Sequence, residues 1–143
     1  MSRGAFSDNH VFVDTSAFFA ISNQRDSSHE NATAILRQLI QARSQLVTTN
    51  FIVAELHALL LARGNRAVAL AALALYDDQA ITIVRVSAGD ETEARAIIEQ
   101  YDDKDFSLTD ATCFAIMRRL AIQRAFTLDR NFSQYGLEVI PVE

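Results

Sequence analysis

The chain has 143 residues, half of them apolar, and only 4 Gly and 1 Pro. This composition excludes a largely disordered chain and predicts one domain, residues 10–143, behind a short flexible N-terminus at residues 1–9. The single cysteine, Cys113, excludes an internal disulfide framework, indicates a reducing compartment and is expected to pack in the core. The net charge of −5 excludes a strongly basic footprint for nucleic acid.

Charge and hydropathy limit the function further without fixing it. Of the 13 basic residues 12 are Arg, which suits bidentate contacts to phosphate, and two bound divalent cations would offset most of the negative charge. Composition therefore leaves RNA binding open. The first nine residues lack the apolar core of a secretory signal, and the longest apolar run, residues 67–76, is too short to span a bilayer. We expect a soluble, cytoplasmic protein.

The first half of the chain alternates predicted strands and helices. Residues 10–14 (His-Val-Phe-Val-Asp) form a β-branched and aromatic run that predicts a strand, and Thr15–Ser22 predicts a short helix. Apolar residues at helical spacing predict a longer helix over residues 30–43. A second strand follows at residues 45–48, and polar residues that can cap a helix precede the next helix, residues 51–63.

The second half continues the alternation. Residues 66–77 are apolar nearly all round, so we expect this helix to be buried or to lie at an interface with another chain. Residues 80–86 predict a third strand, and residues 88–101 and 108–122 predict two amphipathic helices. The last two strands are predicted at residues 125–128 and 138–142.

Short apolar strands that alternate with helices predict an α/β fold with a parallel sheet covered on both faces. Pro141, in the last predicted strand, suits only an edge position because proline cannot donate to a neighbouring strand. In open α/β folds the functional site lies beyond the carboxyl ends of the strands. The residues that follow each strand are therefore the first candidates for a site.

Four acidic residues occupy such positions. Asp14 closes the first predicted strand, and Asp129 follows the fourth. Glu55 lies in the helix after the second strand, at the edge of its apolar stripe, and Asp110 lies in the first turn of the helix that leads into the fourth strand. Because parallel strands end at the same edge of a sheet, we expect the four carboxylates to converge.

Converging carboxylates repel one another, and their burial is costly unless a cation or protons compensate. Oxygen ligands without a His–Cys set at zinc spacing favour Mg²⁺ or Mn²⁺. Such an ion can activate water and stabilise the attacking and leaving oxygens of a phosphodiester, while one acid can act as a general base. The four acids thus predict a metal-dependent hydrolase.

Each aspartate also has a purely structural interpretation. Asp14 can cap the helix that begins at Thr15, and Asp110 stands three residues after Ser107 in a Ser-x-x-Asp capping box. Asp129 can be an ordinary turn residue. Taken singly, these interpretations are about as strong as the functional ones. Taken together, four acids that each follow a strand or begin a helix favour a site.

The segments around these acids resemble the PIN-domain family, in particular the VapC-type toxin ribonucleases of bacterial toxin–antitoxin pairs. The matching segments are residues 11–17 (Val-Phe-Val-Asp-Thr-Ser-Ala), Thr48-Thr49-Asn50 with Glu55, residues 107–111 (Ser-Leu-Thr-Asp-Ala) and residues 126–132 (Phe-Thr-Leu-Asp-Arg-Asn-Phe). They cover almost the whole domain, and their order and spacing make the match specific. The chain departs from many toxin relatives in having no Trp.

The resemblance implies a three-layer α/β/α sandwich with a mainly parallel sheet of about five strands, and hydrolysis of RNA with Mg²⁺ or Mn²⁺. It implies Asp14 and Asp110 as the firmest metal ligands, with Glu55 and Asp129 completing the site or acting through water. It also implies an antitoxin partner and a homodimer, since toxin relatives form both. Hydroxyl residues are expected to orient ligands or phosphate: Thr15, Ser16, Ser107 and Thr127.

Other functions compete with this prediction. A PIN-fold nuclease of RNA processing would need no antitoxin. A receiver-like phospho-acceptor also uses an acidic Mg²⁺ pocket, but it needs paired acids near the first strand and a lysine after the last, whereas the sole lysine, Lys104, precedes a helix. A haloacid-dehalogenase-like phosphatase needs Asp-x-Asp, and this chain has Asp14-Thr15-Ser16. A non-catalytic binding module is disfavoured by the complete acid set.

The remaining polar residues carry weaker signals. The three histidines are scattered and form no recognisable triad. The acidic run that ends at Asp105 is expected to be solvated, with an approach of Asp105 to the metal pocket as the alternative. A cluster of arginines near two of the acids is interpreted as a solvated surface, with phosphate guidance by at least one member as the alternative. Its members are Arg118, Arg119, Arg124 and Arg130.

Overall fold

A parallel sheet of five strands forms the centre of residues 9–140, the part of the chain that the computed structural model describes. The strand order is β3-β2-β1-β4-β5, and every neighbouring pair is parallel. The sheet confirms the predicted α/β class and strand number. The strands are β1 (His10–Val13), β2 (Gln45–Thr49), β3 (Ile81–Val84), β4 (Arg124–Phe126) and β5 (Glu138–Ile140).

The helices form two packed groups, as expected for an α/β/α sandwich. One group contains α1 (Thr15–Ser22), α2 (His29–Gln41), α3 (Asn50–Arg63) and α4 (Arg66–Ala72), which a 3₁₀ helix (Leu73–Asp77) extends. The other contains α5 (Ala88–Gln100), α6 (Leu108–Arg119) and α7 (Arg130–Tyr135). No helix within residues 9–140 is long and apolar enough to cross a lipid bilayer.

The core lies where the central strand meets both helix groups. The side chains of Val11, Phe12 and Val13 in β1 are almost completely buried, as predicted for a strand covered on two faces. Cys113 of α6 is also fully buried, which confirms its predicted place in the core.

An aromatic cluster fixes α7 to α6 and the sheet. The Phe132 ring centroid lies 5.0 Å from that of Phe114 in α6 and 6.3 Å from that of Phe12 in β1. Tyr135 stacks on Phe114 at 4.5 Å between centroids. Since a buried Phe contributes about 1.5–3 kcal/mol, these contacts hold a helix of six residues that would not form alone.

Several predicted elements differ from those in the structure. Residues 66–77 are not one α-helix, since the chain tightens into the 3₁₀ helix at Leu73. The helix predicted over residues 108–122 ends at Arg119, because Ala121 adopts a left-handed backbone (φ 58°). The strand predicted over residues 125–128 ends at Phe126, and α7 was not predicted.

Two other predictions fall partly beyond the described residues. Residues 1–8 and Pro141 lie outside the described part of the chain, so the flexible N-terminus and the division at residue 10 stay predictions. The strand that precedes Pro141, β5, does lie at an edge of the sheet.

Candidate active site

The carboxyl ends of β1, β2 and β4 meet at one edge of the sheet, beside an open cleft of about 580 Å³. Asp14 directly follows β1, and its backbone N–H donates to Phe126 O at the end of β4 (3.1 Å). All four acids predicted from the sequence line this acidic cleft: Asp14, Glu55, Asp110 and Asp129. Thr15, Ser16 and Ser107 line it as well.

Asp14 is the most deeply buried of the four acids, with 4% of its surface exposed. Its Oδ2 accepts hydrogen bonds from Ser16 Oγ (2.8 Å), Thr127 Oγ1 (2.9 Å) and, more weakly, Ser16 N (3.4 Å). Burial raises the pKa of Asp14 to about 6, the hydrogen bonds oppose the rise, and the Asp110 charge adds to it. The folded protein therefore works against ionisation of this carboxyl.

Ser16 and Thr127 connect the start of α1 with the end of β4. Ser16 Oγ lies 3.2 Å from Thr127 Oγ1 and accepts a hydrogen bond from Leu128 N (2.8 Å). Thr127 Oγ1 accepts one from Asp129 N (2.9 Å). These bonds fix the orientation of Asp14 relative to the segment that carries Asp129.

Asp110 sits in the predicted capping box at the start of α6. Ser107 Oγ accepts from Asp110 N (3.0 Å), and Asp110 Oδ2 accepts from Ser107 N (3.2 Å). The same Oδ2 accepts from Asn131 Nδ2 (2.9 Å). Sequence reasoning assigned no role to Asn131; the only available signal was its place two residues after Asp129 in the matched segment.

Asp129 caps α7 through Asn131 N (2.9 Å). Its pKa lies above the ordinary value because partial burial raises it, against the Asn131 N–H bond, and the charge of Asp110 raises it further. The turn interpretation of this residue is thus replaced by a helix cap that is electrostatically coupled to another acid of the cleft.

Glu55 differs from the three aspartates because it is exposed. As predicted, it lies at the edge of the apolar stripe of α3: Ile52, Leu56 and Leu60 turn inward, and Leu59 lines the cleft together with Glu55. Its Oε1 accepts a hydrogen bond from Thr15 Oγ1 at 2.5 Å. This contact joins Glu55 to the residue that follows Asp14.

The capping roles and a metal-binding role are compatible, because every acid of the cleft uses one carboxylate oxygen for its bonds to the protein. The side-chain bonds of Asp14 and the bonds of Asp110, Asp129 and Glu55 go to Asp14 Oδ2, Asp110 Oδ2, Asp129 Oδ1 and Glu55 Oε1. The helix N-termini behind the three aspartates favour negative charge there. The structural interpretation therefore does not exclude the functional one.

The donor set fits a hard divalent cation. Four carboxylates are oxygen ligands, and burial, with a smaller contribution from the charge of Asp110, raises the pKa of Asp14 and of Asp129. A cation would offset both the burial and the repulsion. Among residues 9–140, however, no three acidic, His or Cys side chains are arranged closely enough to hold an ion together. A cation held here by one or two of the carboxylates would keep several water ligands, and binding by more of them would need side-chain rotation.

Cys113 lies behind the site on α6. Burial raises the pKa of this thiol well above its ordinary value, and the charges of all four cleft acids raise it further. The fields of the four acids therefore overlap at one point of the core. The thiol itself is inert because it is buried and protonated.

The other polar residues singled out from the sequence lie elsewhere. Asp105 is exposed and does not line the acidic cleft, and His29 Nδ1 contacts Ala20 O (2.8 Å) in a structural role. Three arginines of the predicted cluster are paired with acids: Arg118 with Glu93 (3.8 Å), Arg119 with Asp90 (2.9 Å) and Arg124 with Glu138 (3.9 Å). Arg130 begins α7 beside Asp129.

The fold and the ordered acids define a PIN-type domain, and the chain belongs to the PIN-domain family: the family model described as PIN domain matches residues 11–137. The chain is 34% identical over 133 residues to the 23S rRNA-specific endonuclease VapC20 of Mycobacterium tuberculosis, covering 92% of this chain and 98% of that protein.

Solved structures agree with this assignment. The crystal structure of M. tuberculosis VapC20, described as a Sarcin-Ricin loop cleaving toxin, matches with a TM-score of 0.82 and 31% identity, over 89% of this chain and 95% of that one. The crystal structure of FitAcB from Neisseria gonorrhoeae matches with a TM-score of 0.67 over 92% of this chain and 96% of that one. Its 16% identity supports the fold alone.

Proposed function

We propose that this chain is an endoribonuclease that hydrolyses RNA phosphodiester bonds with Mg²⁺ or Mn²⁺ and is the toxin of a type II toxin–antitoxin pair. The observation that carries the proposal is the single cleft lined by four carboxylates at the carboxyl edge of a PIN-type sheet. The similarity to an rRNA-specific endonuclease over nearly the whole chain supports the same activity.

In this proposal the four acids have different roles. Asp14 and Asp110 are the direct metal ligands, and Glu55 and Asp129 complete the site or act through water. A bound cation would supply Lewis-acid stabilisation of the phosphate charge and would lower the pKa of the attacking water. During hydrolysis water attacks phosphorus, one carboxylate accepts the water proton, and the leaving oxygen takes up a proton as its bond to phosphorus breaks.

The hydroxyl and amide residues hold the acids in orientation. Ser16 and Thr127 fix Oδ2 of Asp14, and Thr15 fixes Oε1 of Glu55. Ser107 and Asn131 fix Oδ2 of Asp110. Such outer contacts keep the remaining oxygens available for a ligand and typically change metal affinity or activity about 10–100-fold when removed.

The substrate class follows from the VapC20 relative, whose name and structure title give 23S rRNA and the sarcin–ricin loop. We propose a structured loop of ribosomal RNA for this chain. The expected setting is the cytoplasm, where ribosomes and a reducing environment for the buried thiol coincide.

An antitoxin or a second copy of the chain is proposed to cover the apolar surface formed by α4 and the 3₁₀ helix after it. Leu70 is 52% exposed and Tyr76 44% exposed on this surface, and exposed apolar side chains grouped together mark interaction surfaces. The exposed Leu73 lies between them. Light scattering and co-purification with the product of an adjacent gene test the two occupants; a monomer that binds neither contradicts this part.

The activity is tested with purified protein and RNA. Cleavage is expected with Mg²⁺ or Mn²⁺, none with a chelator, and none for Asp14→Asn. The matched control is Asp105→Asn, which changes an exposed acid outside the cleft and should leave cleavage unchanged. Cleavage by Asp14→Asn at the parent rate contradicts the proposed mechanism. Labelling of an aspartate by acyl-phosphate donors would instead favour a receiver-like phospho-acceptor.

A further inference from the structure

A second cleft, of about 410 Å³, lies at the far end of α1, which begins at the acidic cleft, and beside the end of α3, which lines the acidic cleft as far as Ala62. We call it the basic cleft. It is lined by the C-terminal part of α1 with the loop that follows, the end of α3 and the start of α4. Its polar lining residues are Ser22, Asn23, Gln24, Arg25, Arg63 and Asn65.

The basic cleft has a charge opposite to that of the rest of the chain. Two arginines, Arg25 and Arg63, line it, and no acidic residue does. The ion pairs between described residues involve other cations, so neither guanidinium is neutralised by a carboxylate within residues 9–140. In a chain with a net charge of −5, this is a local concentration of uncompensated positive charge.

Two amide side chains of the basic cleft present donors. Asn23 Oδ1 accepts from Arg25 N (3.1 Å), and Asn65 Oδ1 accepts from Val68 N (2.9 Å). Because each carbonyl oxygen is engaged by backbone, the group left for a ligand is the NH₂. With the two guanidiniums, these amides make a set of N–H donors that suits a phosphate oxygen.

The basic cleft and the acidic cleft share the same pair of packed helices. On α1, Thr15 and Ser16 line the acidic cleft and Ser22 the basic one. On α3, Glu55 lines the acidic cleft and Arg63 the basic one, eight residues further along. At 1.5 Å per residue this separation is about 12 Å. One RNA strand can therefore reach both clefts.

We propose that the basic cleft binds a phosphate of the RNA strand that is cut in the acidic cleft. The inference rests on the proposed ribonuclease function and explains how an acidic protein binds a polyanion. The acidic cleft repels the RNA strand until cations compensate its charge. The guanidiniums of the basic cleft attract the same strand about two helical turns away along α3. The basic cleft thus contributes to substrate binding and not to the chemical step.

The test compares two double variants with equal charge change. Arg25→Gln/Arg63→Gln removes the charge of the basic cleft. Arg37→Gln/Arg95→Gln, on exposed faces of α2 and α5 outside both clefts, is the matched control. With RNA of natural length, the first variant should raise KM about tenfold at unchanged kcat, and the control should not. Loss of one phosphate contact should also reduce the slope of log KM against log salt concentration by about 0.7.

The outcomes separate this inference from the proposed function. If the parent protein cuts RNA and both double variants have the same KM and salt dependence, the basic cleft does not bind substrate, and the function stands. If the parent cuts no RNA, the function itself fails. If only the affinity for an antitoxin falls, the occupant is an acidic peptide and the inference is overturned. Arg25→Lys/Arg63→Lys, which keeps the charge, should restore most of the parental KM.

Discussion

Two capping boxes with the same Ser-x-x-Asp pattern place their aspartates in opposite electrostatic surroundings in this protein. Ser87 with Asp90 begins α5, and Ser107 with Asp110 begins α6, and in both boxes serine and aspartate exchange the same pair of hydrogen bonds. Asp90 and Asp110 are both buried. Local geometry and burial therefore do not distinguish a structural aspartate from a functional one.

The surroundings of the two aspartates differ. Asp90 receives two hydrogen bonds from Arg119, both at 2.9 Å. Although burial opposes ionisation of Asp90, this guanidinium and the Ser87 donors hold its pKa below the ordinary value. Asp110 receives the neutral Asn131 amide and has Asp14 and Asp129 as electrostatic neighbours. A buried acid paired with a cation is structural, whereas one placed among other acids still needs a cation.

The largest expected effect is on catalysis. On the proposed function, in which Asp110 is a direct metal ligand, Asp110→Asn should lower kcat/KM on RNA more than about a hundredfold, the upper range for loss of an outer contact to a metal site. Asp90→Asn, the same change in the twin capping box, should leave the activity per folded molecule unchanged. A gel assay of RNA cleavage with Mn²⁺ measures both.

The free energy of unfolding should fall more for Asp90→Asn than for Asp110→Asn, the reverse of the order expected for activity. Asp90→Asn weakens the pair with Arg119 and should lower the free energy of unfolding by about 2 kcal/mol, less than for a fully buried pair because the Arg119 side chain is 47% exposed. Urea unfolding with a chelator measures this loss. Equal losses of activity in the two variants would contradict the distinction drawn between the boxes.

The second-largest expected effect is on the free energy of unfolding, and it comes from the charge of Asp14. Its pKa rises from 3.8 to about 6 on folding, so its contribution to stability is present below pH 4 and is lost as the pH rises through 6. Without metal, Asp14→Asn should therefore raise the free energy of unfolding at pH 7 by about 3 kcal/mol. The difference from the parent should shrink as the pH falls toward 4.

Urea unfolding of parent and Asp14→Asn between pH 4 and 7.5, in a chelator, tests this pH dependence. Added Mn²⁺ should stabilise the parent and not the variant, because the cation relieves the repulsion that the variant lacks. A pH-independent difference between the two proteins would show that burial of Asp14 does not oppose its ionisation.

The comparison also indicates what could be read from the sequence. The strand-end positions of Asp14 and Asp129 follow from the alternation of short strands with helices, because parallel topology forces those ends to one edge. The Ser-x-x-Asp box at Asp110 was also visible as a local pattern. The exposure of Glu55 was not, because it depends on how α3 packs.

The features that the sequence did not yield depend on tertiary contacts. Helix α7 has six residues and only Phe132 and Tyr135 as apolar anchors, so its periodicity is too short to detect. Its stability comes from the rings of Phe12 and Phe114, which are distant in sequence. The basic cleft likewise joins Arg25 to Arg63 only through the packing of α1 on α3.

The smallest expected effect is that of changing Asn131. Its amide donates to Asp110, as the guanidinium of Arg119 donates to Asp90. Asn131→Ala removes the 2.9 Å bond to Asp110 Oδ2 but keeps the backbone N–H that binds Asp129. Activity and Mn²⁺ affinity should each fall about tenfold, because Asp110 loses orientation and not its charge. Cleavage assays and calorimetric titration with Mn²⁺ measure the two losses.

Gln134→Ala, an exposed change on the same helix, is the matched control and should leave both quantities unaltered. Because Asn131 is neutral, its removal should leave the pH dependence of unfolding almost as in the parent, unlike the removal of Arg119 from Asp90. If Asn131→Ala instead lowers activity only in proportion to a loss of folded protein, Asn131 stabilises α7 and does not orient Asp110. In that case the contrast between the two capping boxes rests on the neighbouring charges alone.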